Sequence, residues 1–342
     1  MLIEAHSLQA IRRVAVIGSG IAGLTVALRL RAMGVNVTLY EKSRGPGGRL
    51  ASKRVSDGAV DCGAQYFTIR TPGFREFLAH YAPNSYRSWN GRLVRATDRG
   101  DRTPFLAAER FVGVPRMSAL SRALSDTLDI RTSVRITRLS KEDTGQWWLE
   151  DDHGSQHGEF DAVVVTAPPA QTQKLLRDSG LEAAAARLEP LTASMQACWA
   201  VMARFDSSLE LPFEGMETQS GPLGWVANDS SKPERDHEGE WWVLHGAPQW
   251  STEHAEATPE EIKEVLLGEF CRLSHRESVP VEVLTHRWLY ARSSDTRSQP
   301  SIWFQTDRLG VCGDWLQGGR VEGAFESAER LVAAITLSRQ WT

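Results

Sequence analysis

Three glycines placed directly after a short apolar run constrain the fold of this 342-residue chain more than any other feature. The run 14–17 (Val-Ala-Val-Ile) is typical of a buried parallel strand, and Gly18, Gly20 and Gly23 form the pattern GxGxxG at the start of a helical segment. The first glycine makes a tight turn, the second lets the backbone approach a diphosphate, and the third lets the helix pack closely on the strand. The positive end of that helix suits a diphosphate, so the pattern predicts a Rossmann-type dinucleotide-binding unit.

An acidic residue follows where such units bind a ribose. Residues 35–40 alternate and are rich in β-branched side chains, which predicts a second strand, and Glu41 ends it 18 residues after Gly23. A carboxylate at this point can accept both hydroxyls of an adenosine ribose. Strand, helix and acid in this order strengthen the prediction of a bound dinucleotide.

Two further motifs favour FAD over NAD as that dinucleotide. The glycine-rich turn 42–49 adds backbone N–H groups and the cation of Arg49 near the same diphosphate, and it resembles the GG-doublet of flavoproteins that bind two dinucleotides. Near the end of the chain, Asp314 follows an apolar strand and can bind a ribityl hydroxyl. A helix that begins near Val321 can direct its dipole at the flavin pyrimidine.

The segment 61–67 (Asp-Cys-Gly-Ala-Gln-Tyr-Phe), together with Arg49 and the run 319–324, resembles the renalase family of the amine-oxidase-like flavoproteins. Segments 225–233 and 286–291 resemble bacterial members of that family. The resemblance implies a fold like that of p-hydroxybenzoate hydroxylase, with FAD held non-covalently. It also implies oxidation of reduced nicotinamide dinucleotide isomers that carry the hydride on ring carbon 2 or 6. The hydride passes to the flavin, NAD(P)+ leaves, and O2 reoxidises the flavin to give H2O2.

The motifs and the resemblance together predict the residues that hold FAD. They are Gly18, Gly20, Ile21, Ala22, Gly23, Glu41, Lys42, Gly48, Arg49, Gln65, Tyr66, Gly313, Asp314, Arg320, Val321, Gly323 and Ala324. Cys62 and Cys312 lie close to these motifs, but small residues in strand-like segments surround them. We interpret both as buried apolar side chains rather than covalent flavin anchors.

The order of the segments predicts an α/β protein (α+β, two domains) with an interleaved architecture. A discontinuous Rossmann-type FAD-binding domain is predicted over 1–70, 110–185 and 300–342, and a substrate-binding domain built on an antiparallel sheet over 71–109 and 186–299. The inserted domain is predicted to supply an aromatic wall for a planar ring and polar groups for a carboxamide or ribose. The wall comprises Trp225, Trp288 and Tyr290, and the polar groups are Asn228, Gln65, His245 and Arg292.

Composition and the remaining motifs narrow the class of function. The net charge of −4 without a basic block argues against a nucleic-acid partner, and no apolar run reaches the 18 residues that a membrane span needs. The four cysteines form no CxxC pair and suit reduced thiols in a cytoplasmic protein, and we predict no metal site. The chain contains no GxSxG, HExxH or P-loop motif, which fits a hydride transfer that requires no acid/base pair. The predicted partners are the reduced dinucleotides and O2.

Two other functions stay open. An amine or amino-acid oxidase would use the same FAD motifs, and Tyr290 with a tryptophan could form the aromatic cage of such an enzyme. A redox-inert protein that holds FAD and binds a partner protein through its aromatic surface is the second alternative.

Overall fold

A computed structural model describes residues 11–97, 101–105, 107–295 and 299–339, and we number its elements in chain order. The strands are β1 (Arg13–Ile17), β2 (Asn36–Glu41), β3 (Ser52–Val55), β4 (Gly58–Asp61), β5 (Tyr86–Ser88), β6 (Leu93–Ala96), β7 (Arg102–Pro104), β8 (Phe111–Gly113), β9 (Asp129–Thr132), β10 (Ile136–Lys141), β11 (Trp147–Asp151), β12 (Gln156–Phe160), β13 (Ala162–Val165), β14 (Met195–Phe205), β15 (Gly215–Thr218), β16 (Leu223–Asn228), β17 (Glu240–Gly246), β18 (Glu282–Ser293), β19 (Ile302–Phe304) and β20 (Leu309–Val311). The α-helices are α1 (Ile21–Ala32), α2 (Pro72–Tyr81), α3 (Met117–Ser125), α4 (Pro169–Asp178), α5 (Glu182–Ala186), α6 (Glu189–Ala193), α7 (Pro248–Glu253), α8 (Pro259–Ser274) and α9 (Val321–Arg339). Among the described residues, no helix is long and apolar enough to cross a membrane.

The chain divides into two compact units, each made of separated segments. Within the described residues, the first comprises 11–48, 124–194, 295 and 299–339, and the second comprises 49–97, 101–105, 107–123 and 195–294. The sequence prediction differs from this division, because it placed 49–70 and 110–123 with the first unit and 186–194 and 295–299 with the second. Hydrogen bonds that join these segments to their units account for much of the difference. Lys232 donates to Asp61 and Arg235 to the carbonyl oxygen of Gly113, both at 3.1 Å, within the second unit, and the N–H of Gln299 donates to the carbonyl oxygen of Leu316 at 3.1 Å within the first.

The first unit contains a six-stranded sheet in the order β19-β20-β13-β1-β2-β9. All neighbours except β19 and β20 pair in parallel. Val14, Ala15 and Val16 of the central strand are completely buried, as an apolar strand in the middle of a parallel sheet must be. Helix α1 follows β1 and packs against α9, so the strand–helix–strand unit predicted from the glycine pattern is confirmed. A separate antiparallel sheet, β10-β11-β12, completes the strands of this unit.

The second unit is built on a seven-stranded sheet in the order β18-β14-β17-β16-β15-β6-β7. Its pairs are antiparallel except for β6 with β15, which confirms the predicted antiparallel insert. Adjacent residues of a strand face opposite sides of the sheet. Trp242 therefore packs with Phe270 of α8 in one core, whereas Trp241 packs with Val60 of the hairpin β3–β4 on the other side. Both tryptophans are completely buried, so neither lines an open pocket.

Candidate cofactor and substrate sites

The glycines of the first motif hold the turn between β1 and α1 in a form that larger residues could not adopt. Gly18 has φ +102°, and a Cβ atom on Gly23 would lie 2.0 Å from the carbonyl oxygen of Gly18. A Cβ on Gly20, in contrast, would have no atom within 4 Å. Helix α1 begins after Gly20 with no side-chain cap and no acidic residue in its first turn. The backbone N–H groups of Ile21 and Ala22 thus stand at an uncapped, positive helix end beside open space.

Glu41 lies buried at the end of β2 and is held by the first glycine turn. Its Oε2 accepts from the backbone N–H of Ser19 at 3.0 Å and from the Ser19 hydroxyl at 2.8 Å, and its Oε1 accepts from the N–H of Ser43 at 2.8 Å. A carboxylate has about four acceptor sites, so these three bonds still leave room for a ribose hydroxyl. The role of Ser19 was not predicted, because the x position of GxGxxG carries no side-chain requirement.

The second glycine turn lies directly against the first. The N–H of Gly47 donates to the carbonyl oxygen of Ser19 at 2.9 Å, and Gly48, at φ +52°, would place a Cβ 3.8 Å from the Cα of Gly20. Lys42 is directed elsewhere, since its ammonium donates to the side chain of Gln171 on α4. Arg49 belongs to the second unit, where it donates to the carbonyl oxygen of Ala291 at 3.0 Å.

The third predicted motif forms a tight turn before α9. Asp314 is buried at the start of a 3-10 turn, and its carbonyl oxygen accepts from the N–H of Gly319 at 2.8 Å. Helix α9 begins at Val321, as predicted. A Cβ on Gly323 would lie 2.5 Å from the carbonyl oxygen of Gln317, so only glycine allows this approach. Of the other predicted residues, Gly313 and Ala324 are buried and Arg320 is exposed.

The first unit fits FAD by these observations. The open space at Gly20 and the uncapped end of α1 suit a diphosphate, and Glu41 offers acceptors to a ribose. Gly47 and Gly48 bring a second backbone turn to the same point.

Three of the predicted substrate residues lie on one face of the seven-stranded sheet. His245 of β17 pairs with Trp225 of β16 on one side and with Ala200 of β14 on the other, and Ala200 pairs in turn with His286 of β18. Trp288 lies two residues further along β18 and therefore faces the same way. Trp225, His245 and Trp288 are each half-buried.

The segment 61–66 lies on this face and takes a hydrogen bond from one of its residues. The carbonyl oxygen of Cys62 accepts from Trp288 Nε1 at 2.9 Å. Burial lowers the pKa of His245 to about 4, opposed by the backbone of Cys62 and reinforced by the charge of Lys232. The ring is therefore neutral near pH 7. Its Nε2 is buried and has no hydrogen-bond partner in the part of the chain that the structure describes.

A cluster of aromatic rings with one arginine continues this face beyond Trp225. The Trp225 ring centroid lies 5.4 Å from that of Tyr66 and 5.8 Å from that of Phe105. The guanidinium of Arg110 lies over both partners, 5.4 Å from the centre of the Tyr66 ring and 4.8 Å from that of Phe105. We call Tyr66, Phe105, Arg110 and Trp225 the arginine–aromatic cluster. Sequence reasoning missed Phe105 and Arg110, because no motif surrounds them.

The other predicted substrate residues are engaged within the protein or lie at its surface. Asn228 caps a 3-10 turn by accepting from the N–H of Ser231 at 3.1 Å, and its amide donates to Glu240. The amide of Gln65 donates to the carbonyl oxygens of Asp61 and Gly63, so both of its N–H groups are used. Tyr290 is half-buried where the pairing of β18 with β14 shifts register, and Arg292 is exposed.

Sequence reasoning also missed Lys232, which lies completely buried among Asp61, Gln65 and Asp229. The available signal was a lysine within the polar run 228–232, directly after a strand. Its partners at 61 and 65 are about 170 positions away in the chain, and no local pattern connects them.

Comparisons with known proteins agree with this geometry. A family model described as an NAD(P)-binding Rossmann-like domain matches residues 16–81, and one described as flavin containing amine oxidoreductase matches residues 98–336. A hydroxyneurosporene desaturase from Rubrivivax gelatinosus is 50% identical over 58 residues, which are 17% of this chain and 11% of that enzyme. The chain thus corresponds to a small part of the length of this curated relative.

Solved structures match over nearly the whole chain. An oxidoreductase from Methanosarcina mazei superposes with a TM-score of 0.73 at 15% identity, covering 94% of this chain and 100% of that one. Cyclohexylamine oxidase from Brevibacterium oxydans IH-35A gives a TM-score of 0.71 at 13% identity, covering 96% and 99%. At such low identity these matches establish a shared fold.

Proposed function

Because the chain belongs to the flavin containing amine oxidoreductase family and FAD is its cofactor, we propose that it is an oxidase of isomeric reduced nicotinamide dinucleotides. The substrates carry the transferable hydride on ring carbon 2 or 6 of the nicotinamide, and the products are NAD(P)+ and H2O2. The resemblance of segments 61–67, 225–233 and 286–291 to renalases supports this proposal. The p-hydroxybenzoate hydroxylase-like form of the fold and the cytoplasmic location belong to the same proposal.

The first unit would hold FAD through the groups described above. Glu41 would accept from the adenosine ribose, and the end of α1 with the turn 47–48 would bind the diphosphate. Asp314 would bind the ribityl chain, and the N-terminus of α9 would face the pyrimidine. Cys62 and Cys312 are buried, and burial raises the pKa of Cys62 to about 12. A protonated thiol is a poor nucleophile, which supports non-covalent binding.

The chemistry requires little acid/base help from the protein. When bound, FAD supplies an acceptor for a hydride and a route for its two electrons to O2. A dihydropyridine regains aromaticity as it loses hydride, so the chain's residues have only to bind and orient the ring. The rings of Trp225 and Trp288 would form its wall. His245, neutral at pH 7 and with Nε2 unpaired within the described chain, would bind a polar group of the ring rather than remove a proton.

The arginine–aromatic cluster is the observation that carries the choice of substrate. Arg110 places a positive charge against the rings of Tyr66 and Phe105, and both rings contact Trp225. A cationic substrate would be repelled by this guanidinium, whereas a dinucleotide carries a diphosphate that it attracts. The cluster therefore favours an anionic substrate.

An amine oxidase is the second candidate, and the shared fold with cyclohexylamine oxidase favours it. In that enzyme class a proton must leave the substrate nitrogen, and a histidine with a pKa near 4 is a weak proton acceptor. A redox-inert FAD-binding protein is the third, and its flavin would stay oxidised with every reductant tested.

Replacing Arg110 tests the substrate class. Arg110→Met should raise the Kd for 6-dihydroNAD about tenfold or more, since a charged contact to the diphosphate is lost, and should leave FAD content unchanged. Arg95→Met is the matched control, because Arg95 also lies over Phe105, at 5.4 Å, and pairs with Glu217 at 2.6 Å, but is not proposed to contact the diphosphate. An Arg110→Met protein that binds the dinucleotide normally, or that gains turnover of amines, would contradict the proposal.

A further inference from the structure

A cluster of charged side chains is completely enclosed in the second unit, behind the segment 61–66. Lys232 Nζ lies 2.7 Å from Asp229 Oδ1 and 3.1 Å from Asp61 Oδ2, and the side chains of all three have no exposed surface. Arg235, 1% exposed, donates to the same Asp61 oxygen at 2.6 Å. We call Asp61, Asp229, Lys232 and Arg235 the Lys232 cluster. Two cations thus match two carboxylates.

Burying such a cluster costs free energy, so a contribution to stability does not by itself explain it. Buried ion pairs often contribute little net stability relative to apolar residues of the same volume. Burial alone would raise the pKa of Asp229, but the charge of Lys232, the imidazole of His237 3.7 Å away and the charge of Arg235 outweigh burial and lower it. The Asp229 carboxylate therefore stays ionised and keeps binding the cations.

The third donor of Lys232 connects the cluster to the segment 61–66. Lys232 Nζ donates to Gln65 Oε1 at 3.1 Å. The Gln65 amide then donates to the carbonyl oxygens of Asp61 and Gly63, at 2.6 and 3.1 Å. The side chain of Gln65 is thus fixed at both ends, and it fixes the backbone of the segment.

Both ends of the same segment contact the proposed substrate face. The Cys62 carbonyl oxygen holds Trp288 through its indole N–H, and the Tyr66 ring contacts Trp225. A shift of the segment would therefore move both walls of the proposed ring site.

We propose that Lys232 is a positioning residue, which through Gln65 fixes the segment 61–66 so that Trp288 and Tyr66 keep the orientation that substrate oxidation requires. This inference rests on the proposed function for the role of the two rings. It goes beyond that function in assigning a task to a lysine that touches no substrate. Loss of Lys232 misorients the site without emptying it of FAD.

Hydrogen–deuterium exchange of the FAD-loaded protein tests this directly. Lys232→Met alone removes one cation and destabilises the fold. The double variant Asp229→Asn/Lys232→Met removes one carboxylate as well, so the charges balance again, and Gln65 still lacks the donor that Lys232 provides. In the double variant the amides of residues 61–67 should exchange about tenfold faster or more, with those of strand β14 unchanged. Lys174→Met is the control, because Lys174 is an exposed lysine paired with Asp178. It should leave exchange of both regions as in the wild type.

Gln65→Leu provides a second variant that leaves all four charges of the Lys232 cluster in place. It should give the same local acceleration over 61–67. In both variants the limiting rate of flavin reduction by 6-dihydroNAD, measured per bound FAD, should fall about tenfold. Wild-type exchange over 61–67 in these variants, or acceleration spread evenly over the second unit, would overturn the inference. If 6-dihydroNAD does not reduce the wild-type flavin, the proposed function fails, whereas the exchange data still decide whether Lys232 fixes the segment.

Discussion

The backbone N–H of Gly47 donates to the carbonyl oxygen of Ser19 at 2.9 Å, which joins the two glycine turns of the first unit. Two motifs separated by some 25 positions in the chain thus form one backbone surface next to the start of α1. The open space at Gly20 adjoins that surface.

Substitution of Gly20 separates cofactor binding from folding. A Cβ at Gly20 would meet no atom of the protein, and φ of −72° is accessible to alanine. Gly20→Ala should therefore leave the Tm of the apoprotein unchanged and lower FAD affinity about tenfold or more, because the new methyl group occupies the diphosphate space. Gly23→Ala is the contrast, since its Cβ would lie 2.0 Å from Gly18 O and must disturb the fold itself. Calorimetry of the two variant apoproteins measures Tm, and titration with FAD measures affinity. Normal FAD affinity in Gly20→Ala would contradict the proposed diphosphate site at Gly20.

Glu41 gives a second test of the cofactor site. Glu41→Ala removes the acceptor for the ribose and should weaken FAD binding by about 1.5–3 kcal/mol. Ser19→Ala removes only one of the three hydrogen bonds that the carboxylate accepts, so it should cost less. Fluorescence titration of the apoproteins with FAD measures both. Equal losses in the two variants would mean that Glu41 acts only by ordering the turn.

His245 should act as a binding group and not as a base. His245→Ala should slow flavin reduction, or raise the substrate Kd, about tenfold, because one neutral hydrogen bond is lost. Loss of a general base typically slows a reaction about a hundredfold or more. Because the pKa of His245 is about 4, the rate of flavin reduction in the wild type should show no histidine titration between about pH 5.5 and 8. Stopped-flow reduction across pH measures both, with the exposed His254→Ala as control. A hundredfold collapse with FAD still bound would favour the amine-oxidase function.

His237 should make stability depend on pH in the neutral to alkaline range. Burial lowers its pKa, but the carboxylates of Asp229 at 3.7 Å and Asp57 at 3.6 Å outweigh burial and raise it overall. Arg235 faces the ring as well and opposes the rise. A raised folded pKa means that the stabilisation is complete below the unfolded value of about 6.5 and is lost as pH rises through the folded pKa.

The measurement is Tm against pH for the wild type and His237→Gln. The variant should lack the part of the alkaline decline in Tm that His237 causes. His153→Gln serves as control, because the side chain of His153 is 79% exposed. Parallel curves for the wild type and His237→Gln would contradict the assignment.

The sequence predicted the features of the fold that depend on residues close together in the chain. Gly18 and Gly23 lie in a strand–turn–helix whose geometry needs glycine at these two positions, and Gly20 leaves space for a ligand, so the spacing of the three glycines predicted the cofactor-binding half of the fold. For the inserted second unit, the sequence predicted only strands that carry aromatic residues. Asn228 was predicted to bind a carboxamide, and its side chain also caps a turn; the sequence did not reveal the cap, because a polar residue after a strand suits either task. The contacts of Lys232 with Asp61 and of Arg110 with Tyr66 depend on chain segments far apart in sequence, and no periodicity reports them.

Anaerobic mixing of the FAD-loaded protein with defined reductants tests the central claim most directly. Equal concentrations of 2-dihydroNAD, 6-dihydroNAD, putrescine and cyclohexylamine are mixed with the protein, and the visible absorption of oxidised flavin is followed. One or both dinucleotide isomers should bleach the flavin with release of one NAD+ per FAD, and admitting O2 should restore the absorption with formation of H2O2. Bleaching by an amine while both isomers leave the flavin oxidised would contradict it.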